Sequence, residues 1–281
     1  MPSRTNDSSS SAPFNYVKKD QSDASWGKEI QNENYWDKRY KEDAEKSDGK
    51  FEWYVDYDSI AGLLSNMVRK TGRILEVGCG NSNLGMEMAE DQFQDITCID
   101  FSGECIAQQL EKHRETEGLK FLRMDATHMT GFKDEAFDCV VDKATLDAML
   151  SGGKGSAKKM VAEISRILSD RGSYVIVSHV SPSSEMGQEM LNEIVLSNLD
   201  WAYSQWTIDI HSIMPDVDED DDSNGEESEN DGPHIYCVKK YLRPRTRSQM
   251  AAAASFTHPN KRKRQNEPER RRNVIIRQHF H

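Results

Sequence analysis

The segment ILEVGCGNS, residues 74–82, constrains the fold of this chain more than any other. Ile74, Leu75 and Val77 read as a short buried strand that runs without a spacer into Gly78 and Gly80. Glycine allows a tight backbone turn and the close approach of a ligand. A strand, a glycine turn and a following helix form a nucleotide-type pocket at the carboxyl edge of a parallel sheet. The spacing departs from the G-x-G-x-x-G dinucleotide fingerprint, because Asn83 stands third and Gly85 comes two residues late. Glu76 places a carboxylate beside the turn, which suits a ligand carrying an ammonium and repels a pyrophosphate.

Around this segment the pattern alternates. Apolar runs occur at 73–78, 96–100, 119–125, 137–142 and 173–180, separated by amphipathic stretches. In one of these, Met160, Val161, Ile164, Ile167 and Leu168 form a helical stripe closed by Gly172. Another spans 59–70, with Ile60, Leu63, Leu64, Met67 and Val68 at helical spacing. A first short helix is expected around NYWDKRYKED, where Tyr35, Trp36 and Tyr40 share a side. Short buried strands alternating with helices mean βαβ units, hence an α/β, doubly wound, mostly parallel sheet. The late runs WTIDIHSI and HIYCVKKYL predict an antiparallel hairpin split by the acidic stretch DVDEDDDSNGEESENDG.

Hydrophobic residues make up only 36% of the 281 and charged ones 30%, so polar segments dilute a more ordinary core. Residues 1–25 and the basic tail 243–281 are expected to be disordered, as is the insertion 215–232 within a folded domain spanning 26–242. With 36 basic and 48 acidic side chains the net charge is -12, which disfavours nucleic-acid coating except through the tail, where KRKR and Arg270, Arg271 and Arg272 cluster. No run reaches the roughly 18 apolar residues that cross a bilayer, and no secretory signal opens the chain. These features predict a soluble cytoplasmic protein whose tail is able to address a nucleus. Five cysteines without a C-x-x-C pair fit reduced thiols better than a disulfide framework or a metal site. They are expected to pack as small apolar groups, with Cys79 in the turn the one open to reagents.

The acids that close the strands sharpen the reading. Asp100 ends the second strand twenty positions after Gly80, where a carboxylate accepts hydrogen bonds from both hydroxyls of a ribose, or caps the next helix, or does both. Asp125 ends the third, where it or the Ala126 amide addresses an adenine edge or serves as loop chemistry. Asp142 ends the fourth. One cleft then holds an adenosine with an amino-acid arm, which is S-adenosyl-L-methionine.

From Tyr35 to Val180, the motifs YWDKRY, FEWYVDY, ILEVGCGNS, CIDFS, RMDAT and FDCVVDKATLDAML together resemble class I S-adenosylmethionine-dependent methyltransferases of the methyltransferase-like 13 group, which includes lysine methyltransferases of translation elongation factor 1-alpha. The resemblance implies the seven-stranded Rossmann-like sheet with a reversed last strand. It further implies cofactor contacts from Trp36, Tyr40 and Trp53, the Gly78–Gly80 turn, Asp100 with Phe101, Asp125 with Ala126, and Lys143. Similar proteins read D-K-G-T-L-D-A where this chain has Ala144, so a methyl group is added where a positive φ or a close approach would leave it strained.

The expected reaction is methylation of a protein lysine by direct displacement, with elongation factor 1-alpha as the implied substrate and the acidic insertion attracting a basic partner. Asp142 or Asp147 is expected to position the incoming amine while the aromatic residues exclude water. His128 and His179 are given no role. A small-molecule or protein amino-terminal methyltransferase would share every motif. A non-catalytic interaction protein on the same scaffold is the third reading.

Overall fold

The computed structural model describes residues 29–46, 52–213, 232–242 and 275–280. Two helices precede the sheet: α1 (Glu33–Lys46) and α2 (Asp58–Met67). Then β1 (Arg73–Val77), α3 (Leu84–Glu90), β2 (Asp95–Asp100), α4 (Gly103–Lys112) and β3 (Leu119–Arg123) alternate as expected. They are followed by β4 (Phe137–Lys143), α5 (Thr145–Ser151), α6 (Lys154–Ile167) and β5 (Leu168–Ser178). Helix α7 (Glu185–Glu189) continues as a π-helical stretch, Met190–Leu196, before β6 (Ser204–Ser212), β7 (His234–Leu242) and β8 (Ile275–Phe280).

The sheet order is β3-β2-β1-β4-β5-β7-β6-β8. β1 to β5 pair in parallel, and β7 runs antiparallel to both β5 and β6. The doubly wound sheet and the late reversed hairpin are therefore as expected. β8 is an addition: it pairs in parallel with β6, from Thr207 with Ile275 to Ser212 with Phe280. The expectation of a disordered tail is corrected for these six residues, because a β-branched pair, Ile275 and Ile276, sits inside an otherwise basic segment and finds an unpaired strand edge. The acidic stretch, the segment before residue 29 and residues 243–274 lie outside the described residues.

Both faces of the sheet are covered because consecutive strand residues point to opposite sides. In β1, Leu75 and Val77 join the core formed with α6 and the π-helical stretch, including Met160, Ile164, Ile194 and Trp206. Ile74 joins the opposite core, with Ile60, Leu64, Leu84, Met88 and Ile106 from α2, α3 and α4. Strands buried on both sides read as continuous apolar runs, which is why they were visible in the sequence. Helix α2 ends at Met67 rather than Lys70, since Val68 is already extended.

Helix α1 is tied across the carboxyl edge of the sheet. Asp37 Oδ1 accepts the Ser102 hydroxyl at 2.5 Å and the Glu104 amide at 3.2 Å. The hydroxyl bond foremost holds the Asp37 carboxyl below its ordinary pKa. The Trp36 indole donates to Ile30 O at 2.7 Å, and its ring stacks on Tyr40 at 5.8 Å. The aromatic face of α1 thus roofs the glycine turn.

Candidate active site

A cavity of about 220 Å³ opens at the carboxyl edge of β1 to β5. Its floor is the turn after β1. Gly78 and Gly80 have φ of +63° and +53°, a left-handed conformation that side chains resist. A Cβ on Gly80 would stand 3.0 Å from the Tyr40 hydroxyl, and one on Gly78 would run into Thr145. The turn therefore closes on its neighbours only because it lacks side chains. Gly85, the glycine that arrives late, does packing instead: a Cβ there would lie 2.6 Å from Cys98 Sγ, so α3 sits directly on β1 and β2.

Glu76 lies 3% exposed beneath the turn, with Oε2 accepting from the Cys98 thiol at 3.1 Å. Burial pushes its pKa up to about 7. Asp100 Oδ2 accepts the Gly80 amide at 3.1 Å, and Oδ1 accepts the Ser102 amide at 2.9 Å, while Ser102 itself caps α4 through Cys105 N. Asp100 thus supports the turn and the residue that caps α4 while lining the cavity; the cap itself is Ser102 rather than Asp100. Burial, against these backbone bonds, raises it to about 6. Asp125 is exposed at the rim, its Oδ1 accepting Thr127 N at 2.7 Å, with buried Ala126 beside it.

All the cofactor residues expected from the sequence meet in this one cavity: Trp36, Tyr40 and Trp53 on the roof, Glu76, Gly78, Gly80, Asp100 and Phe101 along the floor, Asp125 and Ala126 at one end, Lys143 at the other. Asp147 lines it too. Asp142 does not. It is fully buried, its Oδ1 accepting the amides of Thr145 and Leu146 at 3.0 and 3.1 Å and its Oδ2 the Tyr174 hydroxyl at 2.8 Å. The expected positioning role for Asp142 is therefore corrected. It caps α5, and one residue's step along β4 turns Lys143 to the cavity and Asp142 away from it.

Cys79 is likewise corrected. It is 3% exposed, and a hydrogen bond with the Cys105 thiol, then burial, raises its pKa well above the ordinary thiol value. That environment disfavours the reactive thiolate. All five cysteines are buried and free, as expected of packing groups.

Three polar groups near the cavity were missed in the sequence. Glu52 reaches from the segment before α2 to accept the Asn83 amide at 2.6 Å and the Ser82 hydroxyl at 2.8 Å, and it forms an ion pair with Lys143. Its only signal was to be one of two acids, with Asp56, within the aromatic run FEWYVDY. Tyr54 and His179 form the others: the Tyr54 hydroxyl lies 2.9 Å from His179 Nδ1, which lies 2.9 Å from Asp147 Oδ2. No local spacing reveals a contact across 125 residues.

The cavity suits S-adenosyl-L-methionine by its donor set. Two buried carboxyls, Glu76 and Asp100, are held above their ordinary pKa by burial, and Lys143, whose charge acts on Glu76, is already paired with Glu52. An ammonium and a sulfonium supply positive charge, and Asp100 offers acceptors to a ribose. A pyrophosphate would meet repulsion throughout.

A family model described as a methyltransferase domain matches residues 69–227. The eEF1A lysine and N-terminal methyltransferase of Danio rerio is 31% identical over 198 residues, covering 70% of this chain and 27% of that protein. Its homolog in Drosophila melanogaster is 38% identical over 149 residues, 51% of this chain and 22% of that one. EEF1A lysine methyltransferase 4 of Mus musculus is 30% identical over 183 residues, 62% of this chain and 69% of that one. The chain thus spans about a quarter of the length of the first two and two thirds of the third. With the fold, the glycine turn and the row of carboxyls in agreement with that match, the chain belongs to the S-adenosyl-L-methionine-dependent methyltransferase family related to the eEF1A lysine methyltransferases.

Proposed function

We propose that the chain is a protein lysine N-methyltransferase acting on translation elongation factor 1-alpha or a protein much like it. The observation that carries this reading is the division of the cavity along the sheet. Asp100 and Asp125, suited to accept from an adenosine, line it by β2 and β3, and Asp147, which follows β4 and suits an amine, lines it by β4 and β5. The names of the relatives supply the substrate class.

Glu76, Asp100 and the Gly78–Gly80 turn would hold the cofactor's amino-acid arm and ribose, with Trp36, Tyr40 and Trp53 excluding water above it. When bound, S-adenosyl-L-methionine supplies an electrophilic methyl carbon, and alignment rather than covalent help from the protein is the requirement. The Tyr40 phenol stays neutral there, since burial and then Asp100 raise its pKa well above the ordinary value. The acceptor is more demanding, because a lysine with a pKa of about 10.4 arrives protonated and must attack as a free amine. Desolvation in the cleft favours the neutral form. Asp147 orients the polar groups at this end, and Asp142 serves from behind by fixing the start of α5.

The decisive assay incubates the full chain with tritium-labelled cofactor and purified elongation factor 1-alpha, then locates the label by mass spectrometry. Label on a lysine side chain is the expected result. Label confined to the amino terminus would favour the second reading, which the relatives that carry "N-terminal" in their names support. Cofactor binding with no labelled protein in a fractionated lysate would remove the protein-substrate reading.

A further inference from the structure

His179 follows the last residue of β5, next to β4 in the sheet, and lines the cavity at its acceptor end. Asp147 fixes its backbone and ring together: Oδ2 lies 3.1 Å from the His179 amide and 2.9 Å from Nδ1, while Oδ1 accepts the Ser178 hydroxyl at 2.7 Å. A carboxylate that already accepts two protons in this way makes Nδ1 a donor as well. The Tyr54 hydroxyl, kept neutral by burial and then by the charge of Asp147, lies 2.9 Å from Nδ1 as well. The imidazole proton is therefore drawn to Nδ1, and the lone pair is left on Nε2. Among the described residues, none hydrogen-bonds to Nε2. Tyr54 itself sits at φ +64°, a costly conformation for a large side chain that the surrounding contacts hold in place.

We infer that His179 is the group that takes the proton from the incoming substrate ammonium, with Asp147 and Tyr54 as the positioning residues that fix its tautomer. The inference deepens the proposed function and rests on it for the identity of the acceptor. In the step, an N–H bond of the ammonium breaks and its proton goes to Nε2. The freed nitrogen lone pair forms the bond to the methyl carbon, and the electrons of the carbon–sulfur bond stay with sulfur as a neutral thioether. The side chain of His179 is 26% exposed, so the proton then leaves to solvent.

The charged surroundings are consistent with that role. Burial alone would lower the imidazole pKa, but the bond to Asp147 and its charge outweigh this and raise it. Tyr54, from the segment before α2, is neutral, and Asp142 with Tyr174 lies one layer deeper, coupled to the site through Asp147. Lys143 lines the same cavity but is engaged by Glu52.

The test compares wild type with His179→Asn, whose amide keeps a donor toward Asp147 but has no basic nitrogen. Methylation of elongation factor 1-alpha is followed from about pH 6 to about pH 9.5, spanning the imidazole and approaching the lysine pKa. Wild type should lose turnover as pH falls through the raised imidazole pKa. The variant should turn over about 100-fold more slowly near pH 7.5, as loss of a general base predicts. Its inflection should vanish, leaving a rate that climbs about tenfold per pH unit toward the amine's own pKa of about 10.4. Cofactor affinity by calorimetry should stay within about twofold, since the residue faces the acceptor. Retention of the wild-type inflection in the variant, or parallel loss of turnover and cofactor affinity, would overturn the role. Imidazole nitrogen NMR on the wild type probes the tautomer directly. The Nδ1–H tautomer, with an Nε2 shift on adding n-butylammonium and S-adenosylhomocysteine, upholds the inference; the Nε2–H tautomer, or no shift, overturns it. If wild type leaves elongation factor 1-alpha unlabelled, the proposed substrate falls, and the nitrogen spectrum decides His179 alone.

Discussion

Ala144 holds a backbone conformation that its side chain opposes. It stands at the N-cap position of α5 at φ +70° and ψ -7°, in the left-handed region, and is 8% exposed on the cavity wall. The strain foreseen from the missing glycine of D-K-G-T-L-D-A is therefore present. Left-handed backbone costs an alanine about 1–2 kcal/mol, part of which glycine gives back through its greater unfolded-state entropy. Ala144→Gly should raise stability by about 0.5–1 kcal/mol, seen as a higher urea midpoint at unchanged slope. A lower midpoint would mean that the methyl packs better than the backbone strains. The same stretch shows how far residue-level reading reaches. Asp100, Asp125 and Asp142 look alike as strand-end acids, yet the period-two alternation of a strand and the demand of a helix start separate their fates. Asp142 was consumed by the two orphan amides of α5, which only the position of that helix reveals.

The alternation of β1 to β5 with helices was legible because strands covered on both faces carry continuous apolar runs. The elements that escaped detection are those whose reason for existing is a distant partner. β8 occupies an edge, with Ile275 51% exposed and Ile276 47% exposed, so no core pattern announces it. The π-helical stretch continues α7 through Met190, Leu191, Ile194 and Val195, an apolar set that also fits an ordinary helix. The latch between the segment before α2 and the sheet is the functional case. Lys143 is 4% exposed in its side chain, so Glu52 neutralises a buried cation and at the same time holds Ser82 and Asn83 beside the glycine turn. A surface pair would be worth ~0–1 kcal/mol, whereas leaving a buried charge unpaired costs about 3–5 kcal/mol. Because Glu52 is 29% exposed and Lys143 also donates to Val55 O, Glu52→Gln should cost about 2–3 kcal/mol in urea unfolding. Adding Lys143→Met should recover much of it, because the uncompensated charge goes too. Strict additivity of the two substitutions would show that the latch does not depend on charge.

Across the whole molecule, the carboxyls that build the site make the fold sensitive to pH in an unusual direction. Burial foremost raises Glu76 and Asp142 to about 7 and Asp100 to about 6. Between the ordinary carboxylate range of about 4 and these values, the folded chain keeps protons that the unfolded chain has lost. The stability they contribute is fully present below the ordinary range and is lost as pH rises through about 6 to 7. His179, raised by Asp147 against the effect of burial, acts in the same sense; His113, lowered chiefly by burial, opposes them. Asp138 works the other way but far from this window, because Arg73 foremost holds it down to about 2 and its contribution fades only in acid. Three raised carboxyls and His179 outweigh one histidine, so the ligand-free protein should unfold several degrees higher near pH 5 than near pH 8 by scanning calorimetry. A cationic ligand changes the balance, because it favours the ionised forms of Glu76 and Asp100 and must release protons on binding where those groups are still protonated. S-adenosyl-L-methionine should therefore bind more tightly at pH 8 than at pH 5.5, and near pH 6.5 its calorimetric enthalpy should vary with the ionisation enthalpy of the buffer. Proton release that persists undiminished in Glu76→Gln with Asp100→Asn would place its source elsewhere, and the cation-seeking character of the cavity would lose its physical basis.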